Sequence, residues 1–263
     1  MNLLYPAILF VTLLIAAAIG WSLQSRLKER HTTRESIESI RLLMGMLLTF
    51  SALVLGLLTS NAKQRYDQYN NDLSAYATDL IELQHRLVTY GPESTDIRTL
   101  LRTYTAASIA DSWPDEPAPP GTYPRLSPAP GVEAREFGSM LSEIDLRIEQ
   151  LAPTDPFHQH IAARLRDRIA TAIERRWRII LSARSTVSWP FLLILTAWLT
   201  IIFAIFGLTS PRNRLIYAVV ALAALSIASP LYLILDYSGP LDGLIKLSSA
   251  PMREALIHMD RGD

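Results

Sequence analysis

The residues with the best claim to chemistry in this 263-residue chain are small and uncharged. Gly45, Thr49, Ala52, Gly56 and Thr59 recur at spacings of three and four, so on a helix they share one stripe. Asn61 follows at the end of the same apolar run. Small side chains on a membrane helix permit two things. They let a second helix approach closely, or they leave room along a pore axis where hydroxyls offer weak contacts to ions. Either use turns the stripe inward, towards other helices or towards an axis.

Other chemistries lack their residues. There is no Cys, which removes thiol nucleophiles, disulfides and Cys-based metal sites. His158 and His160 are two apart and point to different faces, whereas a metal-binding helical pair is four apart. No phosphate-cradling glycine loop and no Gly-x-Ser-x-Gly elbow occurs. The terminal Arg261-Gly262-Asp263 matches an adhesion tripeptide, but three residues at a chain end carry no weight. No enzyme, cofactor or metal site is expected. The 25 basic and 25 acidic residues cancel, which argues against a strongly basic nucleic-acid binder.

The elements that carry these residues are set by where charge is missing. Four stretches contain no Asp, Glu, Lys, Arg or His: 1–23, 42–62, 187–211 and 215–235. Crossing a bilayer takes about 20 apolar helical residues. A central charge costs roughly 3 kcal/mol to insert, so the four gaps predict four transmembrane helices. The first lacks the basic start of a signal peptide and has too long an apolar run, so it reads as a retained helix. No span holds an ionisable residue, which argues against proton-coupled transport and intramembrane proteolysis.

Between the second and third spans the pattern is helical and extramembrane. Tyr66, Leu73, Leu80 and Leu87 are seven apart, as are Tyr69, Tyr76, Leu83 and Tyr90. These positions form an a/d seam that must pack against another helix. Gly91-Pro92 ends it. A second helix is expected from Thr95, read as its N-cap. Seven prolines between Asp111 and Gly131 predict an extended loop. A third helix carries Phe137, Met140, Leu141, Ile144, Ile148 and Leu151. A fourth carries Ile161, Leu165, Ile169, Ile173, Trp177, Ile180 and Leu181, and leads towards the third span. Arg175 and Arg176 near its end read as anchors at the membrane interface.

The fold class is therefore an all-α membrane protein with a helical domain inserted between helices two and three. The segments are 1–62, 63–186 (with the Pro-rich loop at 111–131), 187–235 and a short amphipathic tail, 236–263. Counting back by sevens from Tyr66 reaches Thr59, Ala52 and Gly45, which puts the small stripe in the register of the seam. One continuous helix from about Leu42 to Tyr90, roughly 70 Å long, is expected. In the tail, Asp236 ends helix four, and Leu241, Leu244 and Ile245 make an apolar face suited to a bilayer surface. Pro251 opens a last helix, Met252 to His258, and Pro230 is expected to kink helix four.

The run Leu55-Gly56-Leu57-Leu58-Thr59-Ser60-Asn61-Ala62-Lys63 resembles the pore-helix exit of bacterial bestrophins. More closely, the layout is similar to the bestrophin-like family of bacterial membrane proteins. Phe206-Gly207-Leu208-Thr209-Ser210-Pro211 after helix three carries that resemblance, as do Asp236-Tyr237-Ser238-Gly239-Pro240 and Pro251-Met252-Arg253-Glu254-Ala255-Leu256 after helix four. The resemblance implies an oligomeric anion channel with helix two at the pore, in a bacterial inner membrane. It also implies a cytoplasmic amino terminus and helical domain. Charge points the other way. The two short loops hold seven Lys and Arg, which favours placing them in the cytoplasm and the amino terminus outside. The expected partners are the lipid bilayer, further copies of the chain and an anion, with no nucleic acid. The alternative is a non-conducting membrane protein whose tyrosine seam and Pro-rich loop bind a partner.

Overall fold

A computed structural model of the chain describes residues 3–24, 26, 34–124, 132–183, 189–237, 239 and 243–262. Among these residues the only extended elements are helices: α1 (Leu4–Gln24), α2 (Arg34–Tyr90), α3 (Thr95–Ser112), α4 (Val132–Glu149), α5 (Pro156–Ala183), α6 (Trp189–Thr209), α7 (Arg214–Asp236) and α8 (Ala250–Arg261). Four of them, α1, α2, α6 and α7, are long and apolar enough to cross a membrane. The expected all-α fold with four membrane helices is the observed one. The chain forms two compact units, residues 1–66 with 185–245, and residues 67–184 with 246–263.

In the first unit α1 packs against α6 and α7. Leu9, Leu13, Ala16 and Ala17 meet Leu192, Leu195, Leu199 and Phe203, with Val220, Ala224 and Leu231 closing the core. The tightest approach is at two glycines. A Cβ on Gly207 would overlap the Ala17 carbonyl, and one on Gly20 would lie 2.8 Å from the Leu208 amide. This is the close-packing use of small residues, but it falls on α1 and α6. Large apolar side chains such as Ile8, Ile15, Leu193 and Leu222 point outward and are exposed, as a lipid solvent requires. Asn213 caps α7 by accepting from the Ile216 amide at 2.8 Å. The α7 helix runs on through Pro230 to Asp236.

In the second unit α3 packs on α4 and α8, and α4 on α5. The α2 residues Tyr69, Leu73, Tyr76, Leu80, Leu83, Leu87 and Tyr90 are all buried, whereas Tyr66, which belongs to the first unit, is half-buried. The Tyr76 and Tyr104 hydroxyls are 2.6 Å apart, and the Tyr104 ring meets Phe137 edge-on. Burial pushes the Tyr69 hydroxyl up to about 12 and raises that of Tyr76 as well. Gly91, at φ 102°, ends α2 in a conformation that L side chains rarely adopt.

Several expectations change. Thr95 is inside α3 rather than its N-cap, because Ser94 turns the chain and binds the Leu87 carbonyl at 2.6 Å. Asp111 and Ser112 belong to α3, so the loop begins at Trp113, and 125–131 lie outside the described residues. Leu151 lies beyond α4. Arg175 donates to the Asp79 carboxylate at 2.6 Å and Arg176 is buried, so neither is free to act as an interface anchor. The continuity of α5 with α6 falls on 184–188, outside the described residues.

The tail also differs. Residues 243–249 are not helical, Leu241 lies outside the described residues, and of the expected apolar face Leu244 is exposed while Ile245 is half-buried. α8 begins at Ala250, ends at Arg261, and belongs to the second unit. Trp113 Nε1 donates to the Leu247 carbonyl at 2.8 Å. Arg253 donates to Glu116 and to the Pro117 carbonyl, both at 2.9 Å. The start of the Pro-rich loop is thus fastened to α8, not presented as a free strand.

Candidate functional site

The α2 helix enters the first unit with an uncharged run from Leu42 to Ala62, a favourable span for lipid. At about 100° per residue its positions sort into three faces. Ser51, Leu58 and Ala62 are buried and turn towards α1, α6 and α7. Leu42, Met46, Phe50, Leu53 and Leu57 form a large, exposed apolar face. Between them, within an arc of about 80°, lie Gly45, Thr49, Ala52, Gly56 and Thr59.

Among the described residues nothing covers this small face. Gly45, Thr49, Ala52 and Gly56 are exposed and Thr59 is half-buried. A Cβ placed on Gly45 or Gly56 would meet nothing within 4 Å. Neither glycine makes a close approach among the described residues. The register of the stripe also departs from the seam. A seven-residue repeat on a 3.6-residue helix drifts by about 20° each heptad. Between Gly45 and Tyr66 the drift reaches about 60°, and by Leu87 about 120°. The buried seam thus continues the face of Ser51 and Leu58, and the small stripe lies to one side of it.

The hydroxyls on this face are held by backbone. Thr49 Oγ1 donates to the Gly45 carbonyl at 3.0 Å, and Thr59 Oγ1 to the Leu55 carbonyl at 2.8 Å. Each oxygen keeps lone pairs that can accept, and rotation of the hydroxyl frees its proton to donate. Lys63 continues the stripe one turn past Thr59, with its ammonium 5.8 Å from the Tyr66 ring centroid. Asn61 is exposed, about 160° around the helix from Gly45, so it does not share the small face.

A second feature of the unit closes the end of α7. The Asp236 side chain is fully buried and accepts from the Leu244 amide at 3.2 Å and the Ile245 amide at 2.9 Å. Tyr232 donates its hydroxyl to the same carboxylate at 3.2 Å. Gly243 lies against that carboxylate, and a Cβ there would come within 2.9 Å of Cγ. Gly243, Leu244 and Ile245 thus gather around one buried acid. Sequence reading marked Asp236 as a helix end but missed this clasp. It also missed the Gly20 and Gly207 contact, whose only signal was the spacing of Ala16 to Gly20 and of Phe203 to Gly207.

No group of three His, Asp or Glu residues is placed to hold a metal ion among the described residues. His158 Nδ1 lies 2.5 Å from Asp155 Oδ2, and the same carboxylate caps α5 by accepting from the Phe157 and His158 amides. His160 accepts from Arg164 at 2.9 Å.

Four candidate spans with an inserted helical unit define an all-α, multi-spanning membrane protein. The chain belongs to the bestrophin-like family, whose domain model matches residues 10–252. No curated protein sequence matches it. Its fold is that of solved variants of a bacterial bestrophin homologue from Klebsiella pneumoniae. One superposes with a TM-score of 0.67 at 14% identity, covering 98% of both chains. Another gives 0.66 at 14% identity, covering 97% of this chain and 98% of the other. At that identity the likeness is one of fold.

Proposed function

We propose that the chain assembles as a ring in the bacterial inner membrane and conducts ions along an axis lined by Gly45, Thr49, Ala52, Gly56 and Thr59. One observation carries the reading. Among the described residues, the small, weakly polar face of α2 is left uncovered, with open space over Gly45 and Gly56. Small side chains around an axis keep a bore open, and threonine oxygens replace part of an ion's water shell. Anions are favoured because Lys63 stands on the same face where the run ends, and a ring of lysines concentrates anions at that mouth.

The partner-binding alternative rests on the tyrosine seam and the Pro-rich loop, and the start of that loop is bound to α8 through Arg253. Tyr69, Tyr76, Leu80 and Leu83 are buried inside the second unit, which leaves that seam unsuited to an outside partner. Topology follows the charges in this proposal, with both short loops in the cytoplasm and the amino terminus outside. The test is purified protein in planar bilayers. Macroscopic or single-channel current, lost in Gly56→Trp, supports the reading. Silence across several salts and pH values contradicts it. Protease access to the 67–124 region from the outer side checks the topology.

A further inference from the structure

The first unit holds a cleft of about 310 Å³ between α2, α6 and α7. That volume is at the small end of ligand pockets. Its walls are apolar, among them Met44, Leu48, Phe203, Val219 and Ala223, and its one charged lining residue is Arg41. Leu48, Val219 and Ala223 of its lining are exposed, so the cleft opens at the surface of the unit between α2 and α7.

The position of Arg41 says what fits. It immediately precedes the uncharged run of α2, so its guanidinium sits where that helix enters the apolar layer. The last turns of α6 and the first turns of α7 meet α2 in the same cleft. A basic rim over an apolar slot between membrane helices matches a phosphate above an acyl chain. We propose that this cleft holds one acyl chain of an anionic glycerophospholipid from the surrounding bilayer, with its phosphate on Arg41. Neighbouring bilayer lipids supply that chemistry at the depth of Arg41, and in a zwitterionic lipid the headgroup's own ammonium competes with the guanidinium for the phosphate. The inference does not depend on conduction.

The test is native mass spectrometry of the full chain titrated with phosphatidylglycerol and with phosphatidylethanolamine of equal chain length. The wild type should prefer phosphatidylglycerol by about fivefold, the worth of one interfacial arginine. Arg41→Gln should remove the preference while leaving residual binding of both lipids. Ala223→Phe, at an exposed position, should fill the slot and weaken both. Val219→Phe is the second filling variant should the first misfold. Equal affinity of the wild type for the two lipids would overturn the proposal, as would unchanged phosphatidylglycerol binding in a folded filling variant. A changed oligomer mass with unaltered lipid affinity would also overturn it and assign the cleft to a second copy of the chain.

Discussion

Asp155 and Asp236 show how single carboxylates hold this fold. The backbone amide of His158, then its ring, holds the Asp155 carboxyl below the ordinary carboxylate value. Because the folded value is lowered, this contribution is fully present above pH 4 or so and is lost as pH falls through the folded value. Thermal melts from pH 7 towards pH 3 should show the loss, and Asp155→Ala should flatten the dependence. Asp236 is the buried case. Asp236→Ala strands the Leu244 and Ile245 amides at a cost of about 1–3 kcal/mol, to be read from the melting temperature in detergent. The position of Asp236 at a helix end was legible in the sequence. Its grip on amides eight and nine residues later was not, because no periodicity marks a loop that folds back.

At the scale of elements, α2 divides its surface among three environments, and its glycines report which is which. Gly56 has open space over it, so Gly56→Leu should leave protomer stability within about 1 kcal/mol of wild type. Gly207 rests against the Ala17 backbone, so Gly207→Leu should destabilise by at least about 1–3 kcal/mol. Parallel denaturation of the two variants checks the contrast. The continuity of α2 to Tyr90 and its buried seam were legible from apolar spacing; its start was not, since the helix begins at Arg34, before the expected Leu42, in a charged turn that carries no apolar signal. The angle between the small stripe and the seam was hidden by counting in sevens, since the difference between 3.5 and 3.6 residues per turn accumulates over a 57-residue helix. The same limit applies to α8, because its anchoring rests on Arg253 meeting Glu116, 137 residues apart.

For the whole molecule, the zero net charge conceals the architecture, since uncharged spans separate blocks that each carry their own charge. Those gaps made the four spans readable, and the family match and the solved folds agree with them. The grouping of the last 18 residues with the helical unit was not readable, because it depends on tertiary contacts such as Trp113 with Leu247. The central claim is that several copies place the small face of α2 around an ion-conducting axis. The most direct measurement is the reversal potential of purified wild type and Lys63→Glu in planar bilayers under a salt gradient. The account predicts current in the wild type that reverses near the anion equilibrium potential, and a shift towards the cation potential in the variant. No current, or a reversal potential unmoved by the change at Lys63, would contradict it.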